Sequence, residues 1–215
     1  MTNRNPVVPE FSAHHDGTTP PYQPIPLSTL ADFHPGLRVR RRQIAPDGSI
    51  AVIRKRDIVR GKLNPELERA HLPNLPAALL LRAGDVILHS HLACFTPVVL
   101  DAPNLCMTVA APLVLIRIRQ SATLLPRYLA WHLQTAAGQK ALASYLGQGA
   151  ALEVALEGLY RVALRVPPAE TQRMIEGIDQ LYRQCQQQAA LAGQTAVPIE
   201  AVKLETLLLR LARLG

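Results

Sequence analysis

Between Leu124 and Gln188 the chain reads LLPRYLAWHL, then GQGA at 147–150, then GLYRVALRVPPAETQRMIEGIDQLYRQCQQQ. Pro126 suits the first turn of a helix, where no hydrogen-bonded N–H is lost, and Gly147 and Gly149 are stop signals, so one helix is expected over 126–145. Val162 to Val166 has room only for a strand or an extended approach. Pro167 and Pro168 end that strand and start the next helix rigidly. Along it Met174, Ile178, Leu181, Cys185 and Gln188 recur at three-to-four spacing, a narrow apolar stripe on a surface of Gln and Arg. The pattern is that of a docking helix rather than a buried one.

Downstream, Gly193 to Pro198 breaks the chain, and IEAVKLETLLLRLARL predicts a final amphipathic helix. Its wide stripe of Ile199, Val202, Leu204, Leu207, Leu208, Leu211 and Leu214 needs a partner within the molecule or across a dimer. Upstream, the expected 126–145 helix turns Tyr128, Leu129, His132, Leu133, Ala136, Lys140 and Ala141 to one side, with Trp131 as core filler in preference to a stacking platform. LCMTVAAPLVLIRIRQ has a β pattern that places Arg117 and Arg119 on one face. LLLRAGDVILHSHLACFTPVVLD predicts two strands around a loop, entered by a turn at Gly84 and Asp85. His89 and His91 alternate and so share a face, as a structural or nucleic-acid-facing pair. With Cys94 they lack a fourth ligand for zinc.

Earlier still, KLNPELERAHLPNLPAALLLRAGD predicts a short helical or irregular insert punctuated by Pro65, Pro73 and Pro76. LSTLADF is a short structured entry, HPG a turn, LRVRRRQI an extended strand or loop edge, and APDG a second turn before the apolar run SIAVIRKRDIV. Residues 1–26, rich in Pro, Thr, Asn and His and without an apolar h-region, are expected to be a flexible arm and not a signal peptide. His14 and His15 have no further ligands near them in sequence.

The chain has 215 residues, 48% of them apolar, enough for one domain with a real core plus an appendage. Its formal charge is +7 and its pI near 9.8, and Arg far outnumbers Lys. That balance favours bidentate contacts to phosphate or base edges, making nucleic acid the leading partner class. An anionic membrane surface is the rival, but no apolar run approaches a bilayer span. Three cysteines, Cys94, Cys106 and Cys185, without a CxxC pair point to free thiols in a reducing cytoplasm. From Arg38 to Lys62 nine basic residues face two acids, Asp47 and Asp57. Arg38, Arg40, Arg41, Arg42, Arg54, Lys55, Arg56, Arg60 and Lys62 are therefore the candidate DNA-binding set, with His89 and His91 beside them; the plain alternative is a solvated face.

GxxxxGK[ST], HExxH, GxSxG and GxGxxG are all missing, so neither catalytic residues, a metal nor a cofactor is expected. Glu66, Glu68 and Asp85 sketch a metal-dependent nuclease, but no Lys and strand constellation surrounds them.

LSTLADFHPG, SIAVIRKRDIVRGKL, LRAGDVILHS, LLPRYLAWHLQTAAGQKAL with LGQGA, and LYRVALRVPPAETQRMIEGIDQL follow one another in an order that resembles the target-recognition domain and conserved helix of type I restriction-modification specificity subunits. The ordered set, spanning about 27–188, carries the resemblance; the proline pair followed by Glu170, Thr171, Gln172 and an apolar helix is its most specific part. What the resemblance implies is an α+β chain: a mixed target-recognition domain over 27–166, then long coiled-coil-like helices over 167–215. It implies a non-catalytic, cytoplasmic DNA-reading subunit of a defence system, directing a methyltransferase subunit and a nuclease or translocase subunit to double-stranded DNA. The usual member carries two recognition domains and two helical regions. This chain has one of each, so a homodimer built through Met174, Ile178, Leu181, Leu204, Leu207, Leu208 and Leu211 is expected. The alternative is an interaction adaptor that keeps the fold without base reading.

Overall fold

The computed structural model describes residues 23–59, 61–89, 97–103, 106–119, 123–145 and 152–191, with Leu208 and Arg210. The elements are β1 (Ile25–Pro26), α1 (Leu27–Leu30), β2 (Ala31–Pro35), β3 (Ile50–Ile53), β4 (Ile58–Val59), β5 (Lys62–Leu63), β6 (Glu68–Ala70), β7 (Val86–His89), β8 (Val98–Val99), β9 (Met107–Val109), β10 (Leu113–Ile118), α2 (Pro126–Gln134), α3 (Ala136–Tyr145), α4 (Leu152–Arg161), β11 (Ala163–Leu164) and α5 (Ala169–Leu191). This is an α+β fold.

The run LVLIRI of β10 organises it. β10 lies between β2 and β7 in a four-stranded antiparallel sheet of order β2-β10-β7-β8. Its side chains alternate. Val114 and Ile116 join Phe33, Val86 and Leu88 in a core covered by the helices. Leu113 and Leu115 join Ile87 and Val98 against Ala51, Ile53, Met107 and Val109 of a second sheet. A sheet covered on both faces requires an unbroken apolar run, and LVLI supplies one. The second sheet, of order β6-β3-β9, pairs β3 antiparallel with β6 and parallel with β9. The layers thus run helices, four strands, three strands.

The Gly84–Asp85 turn forms as expected. Gly84 takes φ +85°, which only glycine adopts freely. Asp85, 2% exposed, is held bidentately by Arg117, with Nε and Nη2 donating at 2.9 and 2.7 Å, and also accepts the Arg82 N–H at 2.7 Å. Arg117 Nη1 and Nη2 also donate to the carbonyls of Ala78 and Leu80. Such a pair is stable because the bidentate contact is backed by further hydrogen bonds to both partners.

One expectation needs correction. The 126–145 helix is two, because the Thr135 hydroxyl donates to the His132 carbonyl at 2.7 Å and accepts the Gly138 N–H at 3.0 Å. One residue stops α2 and caps α3. At Gly138 a Cβ would stand 2.1 Å from the His132 oxygen, so the sharp turn depends on glycine there. The insert after Lys62 takes the irregular alternative, with β6 and a single 3-10 turn at Ala77–Leu79. Of the two readings of LRVRRRQI, strand or loop edge, the structure takes the loop edge, with isolated bridges at Leu37 and Ile44 and a 3-10 turn at Arg41–Gln43 between them. Trp131, 5% exposed, is core as expected.

α5 is fastened to α2. Gln172, fully buried, accepts the Leu125 N–H at 2.8 Å and donates to the carbonyls of Thr123 and Pro167 at 2.8 and 2.7 Å. One turn later Glu176 accepts the Tyr128 N–H at 3.0 Å. These two α5 side chains satisfy N–H groups at the start of α2 that a helix leaves open. Burial raises the Glu176 pKa. Arg183 reaches Gln134 at the far end of α2, 3.0 Å away. Of the expected stripe, Ile178 packs inward, beside a fully buried Ile175 that the stripe omitted. Met174 (50% exposed), Leu181 (64%) and Cys185 face outward. β1 pairs with β11, and the Leu27 N–H bonds the Val162 carbonyl at 2.8 Å, tying the start of the described chain to the approach to α5. Leu208 is 2% exposed within the chain's own core, so that member of the final stripe is covered without a second copy.

Candidate nucleic-acid interface

The arginine-rich segment is a strap laid across the outer sheet. At one end Leu37 bridges Ala110, its N–H donating to the Val109 carbonyl at 2.9 Å and its carbonyl accepting the Ala111 N–H at 2.8 Å. At the other, Ile44 bridges Ala70, the Gln43 carbonyl accepts the His71 N–H at 2.9 Å, and the Ala45 N–H reaches the Arg69 carbonyl at 3.0 Å. Ala110 continues β9 and Ala70 ends β6, so the strap spans the sheet from edge to edge. Val39 and Ile44 pack beneath it on Val52, Ala70 and Ala110. Glycines let it lie close: a Cβ on Gly36 would be 2.6 Å from the Ala110 backbone, and one on Gly48 2.5 Å from that of Ala70. Arg69 Nε donates to the Gly48 carbonyl at 2.6 Å.

With Val39 and Ile44 turned in, Arg38, Arg40, Arg41 and Arg42 are exposed, as are Lys55 and Lys62. Among the described residues none of the six makes an ion pair. Four guanidinium groups on a backbone pinned at both ends form a preorganised cationic ridge, suited to the spaced charges of a phosphate backbone.

Arg54 and Arg56 differ. Both converge on Glu68, which lies across from Val52 in the β3–β6 register and so faces the strap side. Arg54 Nε is 3.0 Å from Glu68 Oε2, an ionic contact whose N–H is not aimed at the oxygen. Arg56 Nη2 pairs with Glu68 Oε1, and its Nε stands 3.8 Å from Asp57. Asp57, 5% exposed, accepts the Arg54 backbone N–H at 2.8 Å. A cavity of about 430 Å³ is lined by Arg41, Ile44, Arg54, Arg56 and Glu68. Sequence reading missed this role of Glu68, because only the β3–β6 pairing brings position 68 beside positions 54 and 56.

His89 is corrected as a surface residue: it is 5% exposed within the all-buried β7, leaving the structural alternative. Arg60, His91, Leu204, Leu207 and Leu211 lie outside the described residues, as do Cys94 and most of the 1–26 arm. Cys106 and Cys185 are free thiols at the surface. Glu66 is exposed, Glu68 is held by arginines and Asp85 by Arg117, so the three candidate nuclease acids do not converge. Among the described residues no cluster of His, Cys, Asp or Glu is placed to hold a metal ion. No described helix is long and apolar enough to cross a membrane.

A larger cleft, about 720 Å³, separates Val98–Asp101 and the β4–β5 turn from α2 and α5. Its arginines are already matched: Arg127 pairs with Asp101, and Arg183 with Asp179 at 2.7 Å. Of its cations Lys62 alone is unpaired among the described residues, against four arginines on the strap, which makes it a poorer polyanion site.

No family model and no curated protein matches the chain. Among solved structures it is similar to the HsdS subunit from Thermoanaerobacter tengcongensis, with TM-score 0.56 and 22% identity over 94% of this chain and 48% of that one. It is also similar to a chain from a structure on complex assembly and conformational transition of the type I R-M system, with TM-score 0.61 and 20% identity over 94% of this chain and 48% of that one. The fold is that of type I restriction-modification specificity subunits, and the chain spans about half the length of each.

Proposed function

We propose that this chain is the sequence-recognition component of a type I-like restriction-modification or related defence system, binding double-stranded DNA and performing no reaction itself. The observation that carries the reading is the strap: four exposed arginines, unpaired among the described residues, on a fixed backbone and on a fold shared with specificity subunits. Phosphate contacts from Arg38, Arg40, Arg41 and Arg42 supply affinity and register. Residues 27–166 act as the recognition domain and 167–215 as the helical spacer, in the cytoplasm.

The chain addresses a bipartite target by pairing with a second copy, and its helices present a methyltransferase subunit, with a nuclease or translocase subunit, to the DNA. The outward Met174 and Leu181 of α5 are the apolar contacts this pairing uses. Capture from the native host tests the assembly: a methyltransferase subunit should co-purify in stoichiometric amount, and its absence from salt-stable complexes would remove that part of the proposal.

A further inference from the structure

We infer that Arg54 and Arg56, positioned by Glu68, are the side chains that read base edges, and that the base they read is guanine. The inference rests on the DNA-binding reading and divides its basic residues into two working groups. Strap arginines are exposed and unpaired among the described residues, which suits phosphate contact. Arg54 and Arg56 share one carboxylate, so their charge is partly neutralised and each would release fewer counterions on meeting a phosphate. What they gain is a fixed position. Glu68 meets Arg54 through Nε, leaving the terminal Nη1 and Nη2 fork available; it meets Arg56 through Nη2, while Asp57 lies near Nε.

A guanidinium fork held in place matches the O6 and N7 acceptors of guanine in the major groove, the commonest specific arginine contact to a base. The cavity these groups line opens beside Arg41, at the turn of the strap, so the same approach that seats phosphates on the ridge brings a groove over the pair. Glu68 touches no DNA in this arrangement; it is a positioning residue. Its negative charge also repels a phosphate that would otherwise settle between the two arginines.

The test uses the full chain. Selection from a random duplex library gives the preferred motif, and anisotropy titrations then compare a selected with a scrambled duplex for the wild type, Glu68→Gln, Arg56→Lys and the double variant Arg38→Ala/Arg40→Ala. The wild-type motif should require at least one G·C pair. Glu68→Gln and Arg56→Lys should each lower the selected-to-scrambled affinity ratio about tenfold or more without weakening scrambled binding, since charge is gained or kept while the fork is freed or lost. The strap variant should weaken both duplexes alike and leave the ratio unchanged. Arg56 is 61% exposed, so its lysine variant stays informative even if Glu68→Gln perturbs folding. A ratio untouched by both variants, or a motif without a required G·C pair, would overturn the inference while leaving DNA binding intact. Failure of the wild type to bind any duplex at low salt would overturn the DNA reading and this inference together.

Discussion

Replacing Gln172 by Met keeps nearly the same side-chain volume and removes only the amide, so it isolates the three hydrogen bonds that join α5 to the start of α2. Gln172 is 0% exposed, and its partners are the Leu125 N–H and the carbonyls of Thr123 and Pro167. Each buried hydrogen bond contributes about 1 kcal/mol net, and a buried group left unsatisfied costs about 1–3 kcal/mol. Loss of the contact at Leu125 alone resembles loss of a helix cap, about 1 kcal/mol. Gln172→Met should therefore destabilise the chain by roughly 3–5 kcal/mol, which for a chain of this size lowers Tm by about 6–20 °C. Urea unfolding followed by far-UV circular dichroism measures it, with an unchanged m-value as the sign that only stability moved. Glu176→Gln, which keeps an acceptor for the Tyr128 N–H, serves as the mild control. A loss under about 0.5 kcal/mol for Gln172→Met, the ordinary range of a surface change, would refute the claim that this amide fastens α5 to α2.

Three further outcomes are expected. Burial, with Arg165 adding to it, holds the His132 imidazole near pKa 4 against an ordinary 6.5, so the unfolded chain binds the extra proton first; stability should be full above about pH 6.5 and fall by up to about 3 kcal/mol as pH drops towards 4, partly offset by Glu176, whose raised pKa acts with the opposite sign. An NMR titration of His132 with its midpoint above 6 would contradict this. Gly48→Ala forces a Cβ against the Ala70 backbone and should cost about 1–3 kcal/mol while weakening duplex binding, read by urea melts and anisotropy; full stability with full affinity would show that the strap does not need its close seat. Met174→Glu/Leu181→Glu should turn a light-scattering dimer into a folded monomer, since both side chains are exposed in the single chain; a wild type monomeric at micromolar concentrations would remove the proposed pairing.

Period and punctuation made much of the fold legible. The β pattern of LCMTVAAPLVLIRIRQ became β9 and β10, the Gly84–Asp85 turn formed where expected, the proline pair precedes α5, and Trp131 went inward. The corrections share one cause: they depend on partners distant in sequence or on one side chain acting twice. Nothing in the apolar period of 126–145 marks Thr135 as both stop and cap, although a Thr three residues before Gly138 was the available signal. LRVRRRQI has a strand's alternation, and its inward Val39 obeys it, but no free sheet edge runs alongside its middle; only Leu37 and Ile44 find strand partners. β6 is too short to carry a period and exists because Ala70 fits beneath Gly48. Likewise the charge cluster was visible as composition, whereas its division into exposed strap arginines and a Glu68-held pair follows from the β3–β6 register. Alternation put His89 on one face of its strand, but it cannot tell which face of a doubly covered sheet is open, and in β7 neither is.

The measurement closest to the central claim is the salt dependence of duplex binding for the wild type and for Arg40→Ala/Arg41→Ala/Arg42→Ala. Each phosphate contact contributes about 0.9 to the slope of log affinity against log salt, so four strap arginines give a wild-type slope of about −3 to −4. The triple variant should flatten that slope by nearly three units while its urea midpoint stays near that of the wild type, because the three side chains are exposed and form no ion pair among the described residues. A slope that stays the same in the triple variant would contradict the account, placing the DNA on another face of the protein.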